Sequence, residues 1–213
     1  DDGLYFSDKR WLIDSRKNLL FIGANDMAEI NNFVKNYKNG LFIEPIPSEY
    51  NKMTNNLEKI NNKYNTNFIG SNNLITSEND KEYEFNVFDN HGASSSIYEP
   101  IDDKYIYDIW KVKVINKILL KSKTIEYVLE DKNWNYSIYD AIIDVQGAEL
   151  EVLKGFNKET LKKIKKLTVE ISKKEFYKGG VLFDELNSFL INNNFKLNSK
   201  KLREHGDAEY LQT

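Results

Sequence analysis

Ala141-Ile142-Ile143-Asp144-Val145-Gln146-Gly147-Ala148-Glu149-Leu150-Glu151-Val152-Leu153-Lys154-Gly155 is the stretch that decides the fold. Three apolar residues make a buried strand that stops at an acid, Asp144. A glycine follows three residues later. A helix then runs from Ala148 to Lys154, opening with two acids, where the positive end of its dipole lies, and stopping at a glycine. In open α/β sheets, ligands bind outside the carboxyl ends of the strands. Asp144 is therefore expected to point into a site rather than into a core.

Working outward, the same alternation of short apolar runs and helical patterns recurs. Leu19-Leu20-Phe21-Ile22 forms a buried strand ending at Gly23-Ala24-Asn25. Asp26 and Glu29 have the spacing of a capping box, which predicts a helix from Met27 to Tyr37, closed by Asn39-Gly40. Leu41-Phe42-Ile43 is a second strand, stopped by Glu44-Pro45. Ser48 is placed to cap the next helix, whose apolar face is Tyr50, Met53, Leu57, Ile60 and Tyr64. Phe68-Ile69 and Leu74-Ile75 supply a third strand region. Glu82 to Phe88 and Trp110 to Ile115 alternate polar and apolar as half-exposed strands do, with a loop from Asp89 to Ser96 between them. Thr124 to Glu130 forms a short helix, Leu167 to Ile171 a strand, and Val181 to Ile191 an amphipathic helix. The tail, Phe195 to Leu202 and Ala208 to Leu211, forms a hairpin turned at His205-Gly206-Asp207. This pattern predicts an α/β fold with a mainly parallel sheet, a terminal antiparallel hairpin and a β-rich insertion over 81–115. Residues 18–213 are expected to form one domain, with 1–17 a lead-in packed against it.

Composition narrows the function classes. The chain has 213 residues, 40% of them hydrophobic, and a net charge of −3. That balance argues against the broad basic face of a nucleic-acid binder. With no cysteines, thiol catalysis and disulfides are excluded, and a cytoplasmic or otherwise reducing, soluble setting is expected. No apolar run approaches the length of a membrane span, and no His/Asp/Glu cluster has metal-ligand spacing, so neither metal nor membrane is expected.

Two features at strand ends point to a nucleoside ligand. A glycine at Gly23 lets the backbone approach a ligand, and a helix start after Asn25 would offer unpaired N–H groups to a nucleotide or a carboxylate. Glu44 lies 21 residues after Gly23 (44 − 23), the separation at which a carboxylate takes the hydroxyls of an adenosine ribose. The full G-x-G-x-x-G is absent, because Asn25 and Ala28 occupy the later glycine positions, which disfavours a nicotinamide cofactor.

Asp144 to Gly155 closely resembles the D-V-E-G-A-E-x-x-V-L-x-G signature of the FkbM-like family of S-adenosylmethionine-dependent methyltransferases. Ile22-Gly23-Ala24-Asn25-Asp26 resembles that family's first motif, and Phe42-Ile43-Glu44-Pro45, with Tyr50 and Leu57, its second. Thr168-Val169-Glu170-Ile171-Ser172, Tyr177-Lys178-Gly179-Gly180 and Leu182-Phe183 resemble its closing segment. The resemblance implies a class I methyltransferase sheet of seven strands. It places the methionine part of S-adenosylmethionine at Gly23, Ala24 and Asn25, the ribose at Glu44, the adenine near Ser71-Asn72-Asn73 with Asn73 in contact, and the sulfonium and amino end at Asp144. The acceptor it implies is a hydroxyl of a small molecule, a sugar or sugar nucleotide first. Three positions depart from the pattern. Phe21 stands where many members have an acid, Met27 where they have glycine, and Gln146 where glutamate is usual. A left-handed Met27 would cost roughly 1–2 kcal/mol, which the capping box avoids by making it the first helical residue.

Methyl transfer to a hydroxyl needs a proton acceptor. Candidates are His91 in the 89–96 loop, Asp144, Glu170 at the end of the neighbouring strand, and Glu149; Asp144 suits the cofactor's cationic end better than the role of base. His205, in the expected turn, is assigned to structure. The basic run Lys158 to Lys166 is a solvated face or a patch for a phosphorylated substrate, and Tyr98, Tyr105, Tyr107 and Trp110 are sugar-stacking or packing residues. The rival readings are a methyltransferase fold kept as a binding module and a methyltransferase acting on nucleic acid.

Overall fold

The computed structural model describes residues 16–213; the lead-in expected over 1–17 lies outside them, apart from its last two residues. From there the chain runs β1 (Lys17–Ile22), β2 (Tyr37–Ile43), α1 (Pro47–Tyr64), β3 (Asn67–Ser71), β4 (Leu74–Ile75), β5 (Glu82–Phe88), α2 (Asp103–Trp110), β6 (Val114–Lys123) and α3 (Ile125–Asp131). It continues through β7 (Tyr139–Ile143), α4 (Glu149–Lys154), α5 (Lys158–Lys162), β8 (Ile164–Ser172), α6 (Phe183–Asn192), β9 (Phe195–Leu197) and β10 (His205–Gln212).

Seven strands form one sheet in the order β3-β2-β1-β7-β8-β10-β9. All pair in parallel except β10, which is antiparallel to both β8 and β9. The strand period of two sends alternate residues to opposite faces. Leu19 and Phe42 pack with Met53, Leu57 and Ile60 of α1 on one face, while Leu20, Ile22, Leu41 and Ile43 join Val128, Val152, Leu161 and Leu186 on the other. Each such side chain contributes roughly 1.5–3 kcal/mol on full burial. α1 starts on Pro47, whose fixed φ suits a first helical residue, and ends on a left-handed Asn65. Its cap position is Ile46 without a side-chain bond, so Ser48 is inside the helix and is not its cap.

A second, three-stranded sheet, β4-β6-β5, makes up the β-rich insertion. Of Trp110 to Ile115, expected as a strand, only Val114 and Ile115 lie in one. Asp102 caps a helix by accepting from Tyr105 N, Ile106 and Trp110 fall one turn apart on its inner face, and β6 begins only at Val114. That face packs on Phe176 and Tyr177.

Two other local expectations are corrected. No α-helix spans 27–37: there is a single 3-10 turn at Ile30–Asn32, and β2 already starts at Tyr37, so Asn39-Gly40 lies within a strand. Asn25 and Met27 are both left-handed, with φ of 50°. Asp26 Oδ1 accepts from Ala28 N and not from the residue a capping box requires. The terminal hairpin forms, but His205-Gly206-Asp207 belongs to β10, paired with Ser172, Ile171 and Glu170; the connection lies in 198–204. Among the described residues no helix is long and apolar enough to cross a membrane.

Candidate functional site

Strand register builds the site before any loop does. Ile22 pairs with Ile43 on one side and Ile143 on the other, Ile143 pairs with Val169, and Asp207 pairs with Glu170. The next residue along each parallel strand therefore forms one row across the carboxyl edge: Glu44, Gly23, Asp144, Glu170, with Asp207 beside the last. Gly23 at its centre is irreplaceable for two reasons. Its φ is +85°, and a Cβ there would lie 1.7 Å from the Asp144 carbonyl oxygen. Only glycine lets the two chains cross this closely.

The loop after β1 turns its donors inward. Gly23 N and Ala24 N both donate to the Ile43 carbonyl, and Met27 N to that of Ala24. Asn25 N donates to Glu44 Oε2 at 2.9 Å, Asp26 N to Asn25 Oδ1, and Ala28 N to Asp26 Oδ1. Every backbone N–H from Gly23 to Ala28 thus has an acceptor, and no α-helix follows. The anion cradle expected from the sequence does not form. Met27 takes the left-handed conformation and buries its side chain with Ile30 and Val34; Asn56 Nδ2 ties down the Asp26 carbonyl at 2.9 Å.

Above the row lies a cavity of about 590 Å³, within the usual range for small-ligand sites. Gly23, Ala24, Asn25, Glu44, Asn73, His91, Asp144 and Gln146 all line it, with Phe21, Ile46, Leu74 and Phe85 among its apolar walls. Glu44 is 4% exposed. Its Oε2 takes Asn25 N and its Oε1 takes Ile46 N at 2.8 Å, leaving one further lone pair on each oxygen. Burial raises its pKa to about 7, against the two N–H bonds. Asn72 Nδ2 clasps the Glu44 carbonyl, and Ser71 Oγ holds Asn73 Oδ1 at 2.7 Å.

The 89–96 loop roofs the cavity. Asn25 Nδ2 donates to the His91 carbonyl at 3.0 Å, the Tyr177 hydroxyl lies 2.8 Å from the Ser94 carbonyl, and Ser96 Oγ donates to the Gln146 carbonyl at 2.7 Å. His91 is exposed at the cavity edge with φ of 57°.

Glu170 is in the row but not in the cavity. It lines a separate recess of about 20 Å³ with His205, Glu149 and Tyr177. Gln146 stands between: its Nε2 donates to Asp144 Oδ1 at 2.7 Å and to Glu170 Oε2 at 2.9 Å. Burial raises both carboxyl groups, Glu170 further because Asp144 and Glu149 repel its charge. Glu149, a candidate base from the sequence, is instead 2% exposed and accepts from Val145 N and Gly147 N through one oxygen. It shapes the turn after β7 and does not line the cavity.

Nothing in the sequence marks Gln146 as a hub, Tyr177 or Ser96 as its supports, or His205 as a neighbour of Glu170 at 3.3 Å. Left-handed Gln146 (φ 55°) followed by Gly147 (φ 95°) is signalled only by the glycine. Of the aromatics proposed for sugar stacking, Trp110 packs on Phe176, Tyr177 and His205.

A profile of the methyltransferase FkbM domain matches residues 22–197. No curated protein sequence matches the chain. Among solved structures, that of methyltransferase FkbM from Methylobacillus flagellatus KT aligns with a TM-score of 0.58 at 13% identity, covering 98% of this chain and 46% of that one. The METTL16 MTase domain aligns at 0.50 and 11%, covering 94% and 61%. At such identities the likeness is one of fold, and the chain spans about half the length of the first of these proteins. The profile covers most of the chain, from the end of β1 to β9, and takes in the whole acid row with its glycine: the chain belongs to the methyltransferase FkbM domain family.

Proposed function

We propose that this chain is an S-adenosylmethionine-dependent O-methyltransferase acting on a hydroxyl of a small acceptor, a sugar or sugar nucleotide first. The observation that carries the reading is the pairing of a buried acid, Glu44, and a partly buried one, Asp144, with a loop that has no N–H left to give. A pyrophosphate needs such donors; a cationic nucleoside needs carboxylates. Glu44 would take the ribose hydroxyls on its two remaining lone pairs, and Asp144 would face the sulfonium and amino end. Gly23, Ala24 and Asn25 would form the floor and Asn73 the adenine side. When bound, S-adenosylmethionine supplies a methyl group already activated on sulfur.

The protein's part is then positioning and proton removal. The roof would shield the bound pair and hold the acceptor oxygen in line, which supplies on the order of 7–11 kcal/mol when the geometry is good. His91, at the open edge of the cavity, would take the hydroxyl proton as that oxygen takes the methyl group. His91→Ala is expected to lower turnover about 10²- to 10⁴-fold while leaving cofactor affinity within about twofold, read by product formation and calorimetry. The reading itself is tested by titrating the chain with S-adenosylmethionine and its demethylated product. Absence of heat with both would sink it, and binding without turnover over a broad panel of hydroxylated acceptors would favour the binding-module alternative.

A further inference from the structure

Asp144 and Glu170 are two largely buried carboxyl groups joined by a single amide nitrogen. The Gln146 amide lies with its oxygen 3.0 Å from the Tyr177 hydroxyl and its NH₂ toward the two acids. The reversed amide would take the shared N–H donor away from both carboxyl groups. The Gln146 main chain is fixed as well, by Ser96 Oγ on its carbonyl. On its far side, Glu170 Oε1 meets His205 Nε2 at 3.3 Å. That imidazole is packed between Trp110 and Phe176, and its Nδ1 is buried with no partner. A protonated imidazole would leave a charged N–H unsatisfied there, so His205 is neutral and supplies no counter-charge. Among the described residues Glu170 has no other ion-pair partner.

We infer that Gln146 is a positioning residue: by donating to both acids it holds Asp144, facing the cavity, as the carboxylate, and Glu170, facing His205, as the protonated member of the pair. The inference rests on the proposed methyltransferase reading and deepens it. The surrounding charges favour a single negative group. Glu149 from α4 and Asp207 from β10 both face the pair, Tyr177 adds only a neutral hydroxyl, and of Lys174 and Glu175, which also line the recess, the lysine is paired with Glu204. Burial lowers the His205 pKa and raises that of Glu170, in keeping with a neutral dyad. The site thus offers a cationic ligand one carboxylate at Asp144.

Two measurements test this on the intact chain. The sequence has two histidines, so imidazole nitrogen shifts by NMR are readily assigned, with His91→Gln removing one set. His205 is expected to stay neutral from pH 8 down to below 6.5, its ordinary value, and a labelled Glu170 carboxyl carbon to read as protonated at pH 7. A cationic His205 at pH 7, or an ionised Glu170, would overturn the proposal without any variant. The second measurement is the pH profile of S-adenosylmethionine affinity by calorimetry. Affinity is expected to fall on the acid side as Glu44 takes up a proton and then, at lower pH, Asp144, whose limb is the one that reports on Gln146. Gln146→Leu, which removes the donor, is expected to move that limb up by about one pH unit, and Gln146→Asn to give no restoration, being too short to reach both acids. An unmoved limb in Gln146→Leu, with binding otherwise intact, would overturn the role of Gln146. If the wild-type chain binds no S-adenosylmethionine at any pH, the methyltransferase reading fails, while the histidine and carboxyl spectra still decide where the proton lies.

Discussion

Glu44 and Glu170 stand in the same row, delivered by the same register, yet they end in opposite circumstances. Glu44 opens onto the cavity of about 590 Å³, with two backbone donors fixing its oxygens. Glu170 is shut behind Gln146 in a recess of about 20 Å³. The sheet sets where an acid emerges; the segments laid over the edge set whether it can meet a ligand. The roof bends over β1 and β7 and is clasped at Asn25 and Gln146, which leaves Glu44 and Asp144 inside and Glu170 outside.

The row is most sensitive at its midpoint. Gly23→Ala sets a methyl group against the Asp144 carbonyl at a left-handed position, and is expected to cost on the order of 3 kcal/mol or more. Thermal melts would show it as a fall of several degrees together with loss of cofactor binding; an unaltered melt would mean the crossing of the two loops is not as tight as described. Next comes the contrast of the two glutamates. Glu44→Ala removes charge-assisted hydrogen bonds worth roughly 1.5–3 kcal/mol, so S-adenosylmethionine affinity is expected to drop about 10- to 100-fold. Glu170→Gln replaces a neutral acid by a neutral amide and is expected to change it less than about threefold. Equal losses in the two variants would erase the distinction between the open and the closed acid.

The smallest effect concerns pH. Burial raises Glu44 and Glu149 from an ordinary value of 4.5 to about 7. The native state therefore binds more protons than the unfolded chain between those values. The resulting stabilisation is complete below about pH 4.5 and is lost as pH rises through 7. Across the upper end of that window the ligand-free chain is expected to melt higher at pH 6 than at pH 8. Glu149→Gln keeps an oxygen for Val145 N and Gly147 N without the buried charge, and is expected to raise the melting temperature at pH 8 by about 2–4 °C. A melt independent of pH would show that the two acids do not carry their charge at such cost.

The acid row was legible in the sequence because it depends only on where buried strands stop. Glu44, Asp144 and Glu170 each follow an apolar run, and Gly23 follows another. What hangs on distant partners was not. Asp26 and Glu29 mimic a capping box, but Glu44 and Asn56 pin the loop 23–28 from 19 and 30 residues away, holding it out of a helix. Trp110 and Val112 alternate like a strand, yet Phe176 and Tyr177, from much later in the chain, hold Trp110 as the last residue of a helix and Val112 just beyond its cap. Gln146 looked like a departure from a motif. Its part emerges only with Glu170 and Tyr177, 24 and 31 residues on, in place.

The roof has a packing centre of its own. Phe88, Ile106, Val112, Phe176 and Tyr177 form one apolar cluster and Ile46, Leu74 and Phe85 another, both distinct from the two that hold the large sheet. The site is thus a seam between separately packed bodies, fastened by a few polar clasps. Such a seam is where cooperative unfolding first divides. On gentle heating, amide exchange is expected to rise in 89–96 and ligand binding to vanish while the seven strands still hold together.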